Sequence, residues 1–167
     1  TGSAGLILKV DGGGTKYVAD LPAGFVGLQG DASKNTFIGS DAADILSGGA
    51  GADTLSGGAG ADILVAGTGI DDLSGGTGDD RLDVRGKAVV SDRLSGGDGV
   101  DTLLVADGQS LTAATISGIE VIQGTGTITM NAAQLTGISQ LKGVTVQLTG
   151  DSSTFVMPAN LLLTNGA

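Results

Sequence analysis

The chain has 167 residues, a formal net charge of −10 at pH 7 and an aromatic content of only 2%, while 32 of its residues are glycine. It contains no cysteine and no histidine, which excludes disulfides, thiolate metal sites and the most common general base. The acidic balance argues against a nucleic-acid partner, and no apolar stretch is long enough to insert across a bilayer. Because large aromatic side chains are scarce, we expect a thin fold with a core of Leu, Ile and Val.

The N-terminal segment, residues 1–29, contains the strand candidate Leu6–Val10 and a glycine-rich turn, and we predict that it forms a lead-in or cap. From residue 30 onwards a nine-residue frame applies, with GDASKNTFI at 30–38 and GSDAADILS at 39–47. The first of these units has lost its glycines and carries Phe37 at the apolar position, so it is a degenerate copy.

The frame becomes regular at Gly48, where the sequence reads GGAGADTLS, GGAGADILV, AGTGIDDLS and GGTGDDRLD without interruption. A fifth copy, GGDGVDTLL, begins at Gly96. The common pattern is Gly-Gly-x-Gly-x-Asp-x-apolar-x, with an apolar residue two positions after each aspartate. The spacing between Leu82 and Leu94 is twelve instead of nine, so we expect Asp92 to lie on a bulged loop where a metal site is doubtful.

Each unit is predicted to form a tight turn followed by a short strand that points one Leu inward. Two units then make one coil of a flattened solenoid, and turns eighteen residues apart stack on the same edge. Asp44, Asp62 and Asp80 would line one edge, and Asp53 and Asp71 the other. Stacked strands lie about 4.8 Å apart, so carboxylates of neighbouring coils would repel unless a cation lies between them. Hard oxygen ligands favour calcium.

The nonapeptide resembles that of the repeats-in-toxin (RTX) family of secreted bacterial proteins, and residues 30–104 carry the resemblance. It implies an all-β fold, a right-handed parallel β-roll, with about three to five bound calcium ions. Each ion would lie between one turn and the turn two units later. It would bind carbonyl oxygens at positions two and four and the Asp of the earlier turn, and carbonyl oxygens at positions one and three and the Asp of the later turn.

The resemblance therefore implies four ligand sets, of which the third depends on stacking across the insertion and the fourth lacks one glycine pair. They are Gly58, Gly60, Asp62, Gly75, Thr77 and Asp80; Gly49, Gly51, Asp53, Ala66, Thr68 and Asp71; Gly76, Gly78, Asp80, Gly96, Asp98 and Asp101; and Ser40, Ala42, Asp44, Gly57, Ala59 and Asp62.

The C-terminal segment, residues 105–167, has no nonapeptide, but Thr, Val and Ile alternate as in strands. We predict that it adds metal-free β-coils that cover the apolar end of the roll; a separate subdomain is the alternative. No catalytic constellation is visible, because no histidine exists to activate a serine or threonine.

Two functions are consistent with these features, and neither makes this chain an enzyme. The first is a structural segment of a surface protein, similar to an S-layer or adhesin, whose partners are calcium and other copies or domains of the same protein. The second is the calcium-binding secretion tail of an exoenzyme such as a protease or lipase. In both, the resemblance implies an extracellular location, export by type I secretion and folding on extracellular calcium.

Overall fold

The computed structural model describes residues 6–18, 25–149 and 162–164. Within these residues the regular structure is β, with a short 3₁₀ helix at Ala132–Leu135 and no α-helix. The strands are β1 (Leu6–Lys9), β2 (Gly14–Tyr17), β3 (Phe25–Gln29), β4 (Asn35–Ile38), β5 (Ile45–Ser47), β6 (Thr54–Ala59), β7 (Ile63–Val65), β8 (Asp72–Thr77), β9 (Arg81–Asp83), β10 (Arg93–Asp98), β11 (Thr102–Leu104), β12 (Thr115–Ser117), β13 (Val121–Asn131), β14 (Gln140–Thr149) and β15 (Leu162–Thr164).

These strands form two parallel sheets, because successive strands of the repeat region alternate between them. The nine-stranded sheet has the order β1-β3-β5-β7-β9-β11-β13-β14-β15, and the six-stranded sheet has the order β12-β10-β8-β6-β4-β2. Neighbours such as β5 and β7 pair in parallel with a shift of one coil, Ile45 opposite Ile63. The molecule is thus a β-solenoid of about seven coils, which confirms the predicted all-β parallel architecture.

The core is a ladder of single apolar side chains, one from each short strand. In one sheet Leu46, Leu64, Leu82 and Leu103 are stacked in register, and in the other Phe37, Leu55, Leu73 and Leu94. All eight are at most 1% exposed. Their neighbours along each strand point away from the core, since alternate side chains of a strand face opposite sides. Each buried Leu contributes roughly 2 kcal/mol, so a thin core suffices when every coil repeats it.

The insertion between β9 and β10 leaves the solenoid intact. Leu94 still pairs with Leu73, and the extra residues bulge outward through a turn in which Ser91 has a φ of 60°. The expectation that Asp92 lies on the bulge is wrong: the residue is fully buried, and its Oδ1 accepts a 2.9 Å hydrogen bond from the N–H of Asp71. The bulge ends before Asp92 because β10 must return to the register of β8.

Past residue 104 the strands continue the same two sheets. β12 is added to β10, and β13 and β14 extend the sheet that contains β11. Gln134, in the 3₁₀ helix, donates from Nε2 to the carbonyl oxygens of Leu111 and Ala114, which fastens this helix to the preceding coil. Parts of both predicted terminal segments, residues 1–5, 19–24, 150–161 and 165–167, lie outside the described residues.

Candidate metal sites

The aspartates of the repeats form two columns, one on each edge of the solenoid. In each column the backbone N–H of one acidic residue donates to a carboxylate oxygen of the next coil, as from Asp44 to Asp62 Oδ1 at 2.7 Å and from Asp53 to Asp71 Oδ1 at 2.9 Å. We call them the Asp44 edge (Asp44, Asp62, Asp80, Asp101 and Glu120) and the Asp53 edge (Asn35, Asp53, Asp71 and Asp92).

The second carboxylate oxygen has neither a hydrogen-bond partner nor a cationic partner at four positions. Oδ2 of Asp53, Asp62, Asp80 and Asp101 is buried and unpaired, and these residues are at most 1% exposed. Burial raises the pKa of Asp62 to about 6. The hydrogen bond from Asp44 N–H lowers this pKa, while repulsion from the carboxylates of Asp80 and Asp44 raises it further. Burial likewise raises the pKa of Asp53, Asp80 and Asp101. A buried anionic oxygen without a partner is costly, so each of these positions favours a bound cation.

The first glycine of a repeat leaves room beside each unpaired oxygen. The position that a Cβ would take on Gly57 lies close beside Asp62 Oδ2 and 2.5 Å from the carbonyl oxygen of Gly75 in the next coil. The same position on Gly75 lies beside Asp80 Oδ2 and 2.6 Å from the carbonyl oxygen of Gly96. In each case the carboxylate oxygen and the carbonyl oxygen lie within 2.6 Å of one point, so they are close enough together for one calcium ion, with bonds of about 2.3–2.6 Å, to bind both.

On the Asp53 edge the same convergence occurs at Gly48. A Cβ there would lie beside Asp53 Oδ2 and 2.7 Å from the carbonyl oxygen of Ala66. The oxygens that meet here and on the Asp44 edge belong to three of the four predicted ligand sets. The residues present therefore fit calcium at these three positions.

The turns themselves stack by backbone hydrogen bonds. Gly60 N–H donates to the Thr77 carbonyl at 2.9 Å, and Thr68 N–H donates to the Gly49 carbonyl at 2.8 Å. Gly58 and Gly76, which face each other, have φ values of 111° and 121°, a left-handed range in which a side chain is strained. Each carbonyl oxygen keeps a second lone pair that can bind a metal ion.

The fourth predicted set differs from the other three, because its first turn satisfies its own aspartate. Asp44 Oδ2 accepts hydrogen bonds from the N–H of Ser40 at 2.6 Å and from the Ser40 hydroxyl at 2.9 Å. The Ser40 carbonyl accepts from Ala59 N–H at 3.1 Å, so the two turns are stacked. Serine in place of the second glycine thus adds a hydroxyl donor that the glycine turns lack, and in this turn the backbone N–H also reaches the carboxylate.

Sequence reasoning left three residues of the columns, Asn35, Asp92 and Glu120, out of the ligand sets. Asp92 enters its column at the end of the insertion, where its Oδ1 accepts from the N–H of Asp71. Asn35 stands at the aspartate position of the first unit, and its Oδ1 is buried without a hydrogen-bond partner next to the carbonyl of Gly48. The nine-residue frame could have indicated Asn35, because it stands nine residues before Asp44. Glu120 ends the Asp44 edge, where its Oε2 accepts from the N–H of Asp101 at 2.9 Å. Its spacing of nineteen from Asp101 falls outside the frame, so no repeat pointed to it.

Asp71 differs from the other aspartates of the ligand sets in having a cationic partner. Its Oδ2 accepts from the ammonium group of Lys87, a buried side chain from the insertion, and so is already paired. No group of three or more His, Cys, Asp or Glu side chains that could hold a metal occurs in the described part of the chain. Any metal at the repeat turns must therefore take part of its coordination from backbone carbonyls. Among the same residues no helix has the length and apolarity to cross a membrane.

A protein-family model for the RTX calcium-binding nonapeptide repeat matches the chain in four copies, over residues 29–64, 56–86 and 91–109. The repeat region belongs to the RTX family. The matched residues coincide with the coils that carry the two columns, so these columns are the edges of RTX calcium-binding repeats in a β-solenoid. Neither the curated proteins nor the solved structures contain a match to this chain.

Proposed function

We propose that residues 30–104 are a calcium-responsive folding module, with residues 1–29 as its N-terminal cap and residues 105–167 as a metal-free extension. The observation that carries this proposal is the set of buried, unpaired Oδ2 atoms of Asp53, Asp62, Asp80 and Asp101. Such oxygens need a cation, and RTX repeats are calcium-binding units.

Calcium would be held by the four ligand sets given above, with two aspartates and four carbonyls in each. When bound, it supplies positive charge and oxygen coordination that offset the repulsion between stacked carboxylates. The chain's own part is to bring the oxygens together: glycines allow the turns, and the leucine ladder keeps successive coils in register. Three such sets are complete in residue type, and the fourth, at Asp44, has Ser40 as an internal donor, which supports three or four of the predicted three to five ions.

The decisive experiment compares the folded state with and without calcium. Metal binding contributes to folding free energy when the site does not exist in the unfolded chain. We expect the β-type circular dichroism of the full chain to be lost after removal of calcium by a chelator and to return when calcium is restored. Magnesium at the same concentration serves as the control, because it is smaller and sheds water reluctantly. An unchanged spectrum after complete calcium removal contradicts the proposal.

We further propose that the parent is a secreted bacterial surface protein in which this chain has a structural, non-catalytic role. RTX repeats are typical of secreted bacterial proteins. The strands that continue the solenoid beyond the repeats support a rod-like building element of S-layer or adhesin type. Edge strand β1, with Leu6 59% exposed, supports contact with other copies or domains of that protein. A zinc-binding motif or nucleophile elbow elsewhere in the same gene would instead favour the tail of an exoenzyme exported by type I secretion.

A further inference from the structure

The position between Asp71 and Asp92 on the Asp53 edge has a different chemistry from the other repeat positions. The Lys87 ammonium contacts Asp71 Oδ2 and lies 3.0 Å from Asp92 Oδ2. The side chains of Lys87, Asp71 and Asp92 are 2%, 0% and 0% exposed. We infer that the Lys87 ammonium takes the place of a calcium ion here, so that this coil carries its own cation.

A second feature of the same position disfavours a metal ion. Ala66 is the first residue of the Asp71 turn, where the regular repeats have glycine. At Gly48, one coil earlier, that glycine leaves room for Asp53 Oδ2 and the Ala66 carbonyl to converge. Ala66 is fully buried, and it carries a methyl group at the position that glycine leaves without one. The residue types between the Asp71 turn and the Asp92 turn therefore do not fit calcium.

A third feature concerns the carbonyl that a metal would need from the later turn. Val84 stands at the first position of that turn, and its carbonyl oxygen accepts a 2.6 Å hydrogen bond from Nε2 of Gln109. The same amide group donates to the Lys87 carbonyl at 3.1 Å, which holds the backbone at the base of the lysine side chain. Gln109 is buried, and its Oε1 accepts from Ala106 N–H at 2.9 Å. The insertion and Gln109 together position the ammonium group.

The Lys87 ammonium neutralises half of the negative charge that a calcium ion would neutralise at this position. A calcium ion between two carboxylates leaves no net charge, whereas one ammonium leaves a single negative charge shared by two buried groups. The N–H of Asp71 donates to Asp92 Oδ1 at 2.9 Å, which stabilises part of that charge. The coil at the insertion is therefore joined to its neighbour by groups of the chain itself and not by a calcium ion.

The test uses the full chain with Lys87→Met, which keeps the length of the side chain and removes its charge. Lys34→Met is the matched control, because Lys34 is exposed in a turn on the same edge and its loss changes net charge equally. Loss of a surface lysine should leave the calcium midpoint of folding unchanged or lower it slightly. Loss of a buried counter-charge should raise that midpoint, by about threefold or more, because two carboxylates then remain unpaired.

Asp92→Asn distinguishes charge from packing. Asn keeps an oxygen that can accept from Asp71 N–H and removes one of the two negative charges. The double variant Lys87→Met/Asp92→Asn should therefore fold at a lower calcium midpoint than Lys87→Met. If Lys87→Met does not fold at any calcium concentration, the test is whether the double variant folds. If neither variant folds, the lysine acts through packing, and the assignment of its charge to the place of a calcium ion is overturned. Equal midpoints for Lys87→Met and Lys34→Met overturn the assignment.

The bound ions are counted directly by elemental analysis after equilibrium dialysis and located by anomalous scattering from crystals grown in calcium. We expect no calcium between Asp71 and Asp92 in the wild-type chain; an ion there overturns the inference. The inference rests on the proposed calcium sites elsewhere in the chain. If those sites are wrong, the wild-type chain binds no calcium at all, and this result differs from an ion found between Asp71 and Asp92.

Discussion

One added methyl group would displace the oxygens of a candidate metal site. At Gly57 a Cβ would lie beside Asp62 Oδ2 and 2.5 Å from the Gly75 carbonyl oxygen, closer than a carbon atom can approach, so only glycine lets these two oxygens lie so near each other. Gly58, the next residue, serves a different need, since its φ of 111° is strained for any other residue. The two glycines at the start of a repeat therefore have separate roles, one in ligand space and one in backbone conformation.

We predict that Gly57→Ala removes one bound calcium per chain and raises the calcium midpoint of folding, because the methyl group fills the space between Asp62 and Gly75. Ion content by elemental analysis is the measurement. Gly86→Ala is the control: Gly86 has a φ of 77°, but a methyl carbon added there would have no atom within 4 Å, so the change should lower stability by about 1 kcal/mol without loss of an ion. An unchanged ion content in Gly57→Ala contradicts this role for the glycine.

The columns and the insertion act at the level of whole coils. Along the Asp44 edge each aspartate is linked to the coil on either side: Asp62 accepts from Asp44 N–H at 2.7 Å and donates to Asp80 at 2.8 Å. The last aspartate, Asp101, donates instead to Glu120, where the repeats end. On the Asp53 edge the column ends at Asp92 beside Lys87. The two edges thus end differently, one at a glutamate and the other at a buried ion pair.

Removal of a carboxylate shared by two predicted sites should be more damaging than removal of one that serves a single site. We expect Asp62→Ala and Asp80→Ala to raise the calcium midpoint more than Asp101→Ala, as measured by circular dichroism during calcium titration. Asp62→Asn is the control, since it keeps an acceptor for the N–H of Asp44 while it removes the charge. Equal midpoints for the three alanine variants would be inconsistent with ligands shared along the edge.

At the scale of the whole molecule, stability depends on many identical contacts between neighbouring coils. The leucine ladder is continuous from Phe37 to Leu103, but it is one side chain thick, and the chain has 32 glycines whose backbone freedom is lost on folding. Without cations the buried carboxylates add repulsion of about 1 kcal/mol per pair in water and more where screening is poor. We therefore expect calcium to decide whether the repeat region folds.

We predict that calcium folds the chain cooperatively, with a midpoint around 10⁻⁴–10⁻³ M, the usual range of extracellular modules. Cooperativity follows because each coil that is ordered presents a formed edge to the next coil. Isothermal titration together with circular dichroism from about 1 µM to about 10 mM calcium covers this range. A midpoint in the nanomolar range would mean that the chain folds at the low calcium concentration inside a cell. A non-cooperative transition would mean that one ordered coil does not help to order the next. Either result contradicts the proposed extracellular switch.

The regular repeats could be predicted from the sequence because their geometry is local. An aspartate every nine residues followed by a leucine two positions later, as in Asp62 and Leu64, places one residue on the edge and the other in the core of every coil. The alternation of sheets and the column to which each aspartate of the regular repeats belongs follow from that period. The period also placed Asn35 at the first aspartate position, although its unpaired oxygen emerged only from the packing.

The positions outside the period were decided by tertiary structure. Asp92 lies twenty-one residues after Asp71 and Glu120 nineteen after Asp101, yet both enter the columns, because sheet pairing restores register after each irregular turn. The contact of Lys87 with two carboxylates depends on the path of the bulge and on the Gln109 amide that holds it. Repetition by itself determined the solenoid and its acidic edges. The place of Lys87 between Asp71 and Asp92 could not be predicted from repetition, because it depends on contacts with residues that only folding brings together.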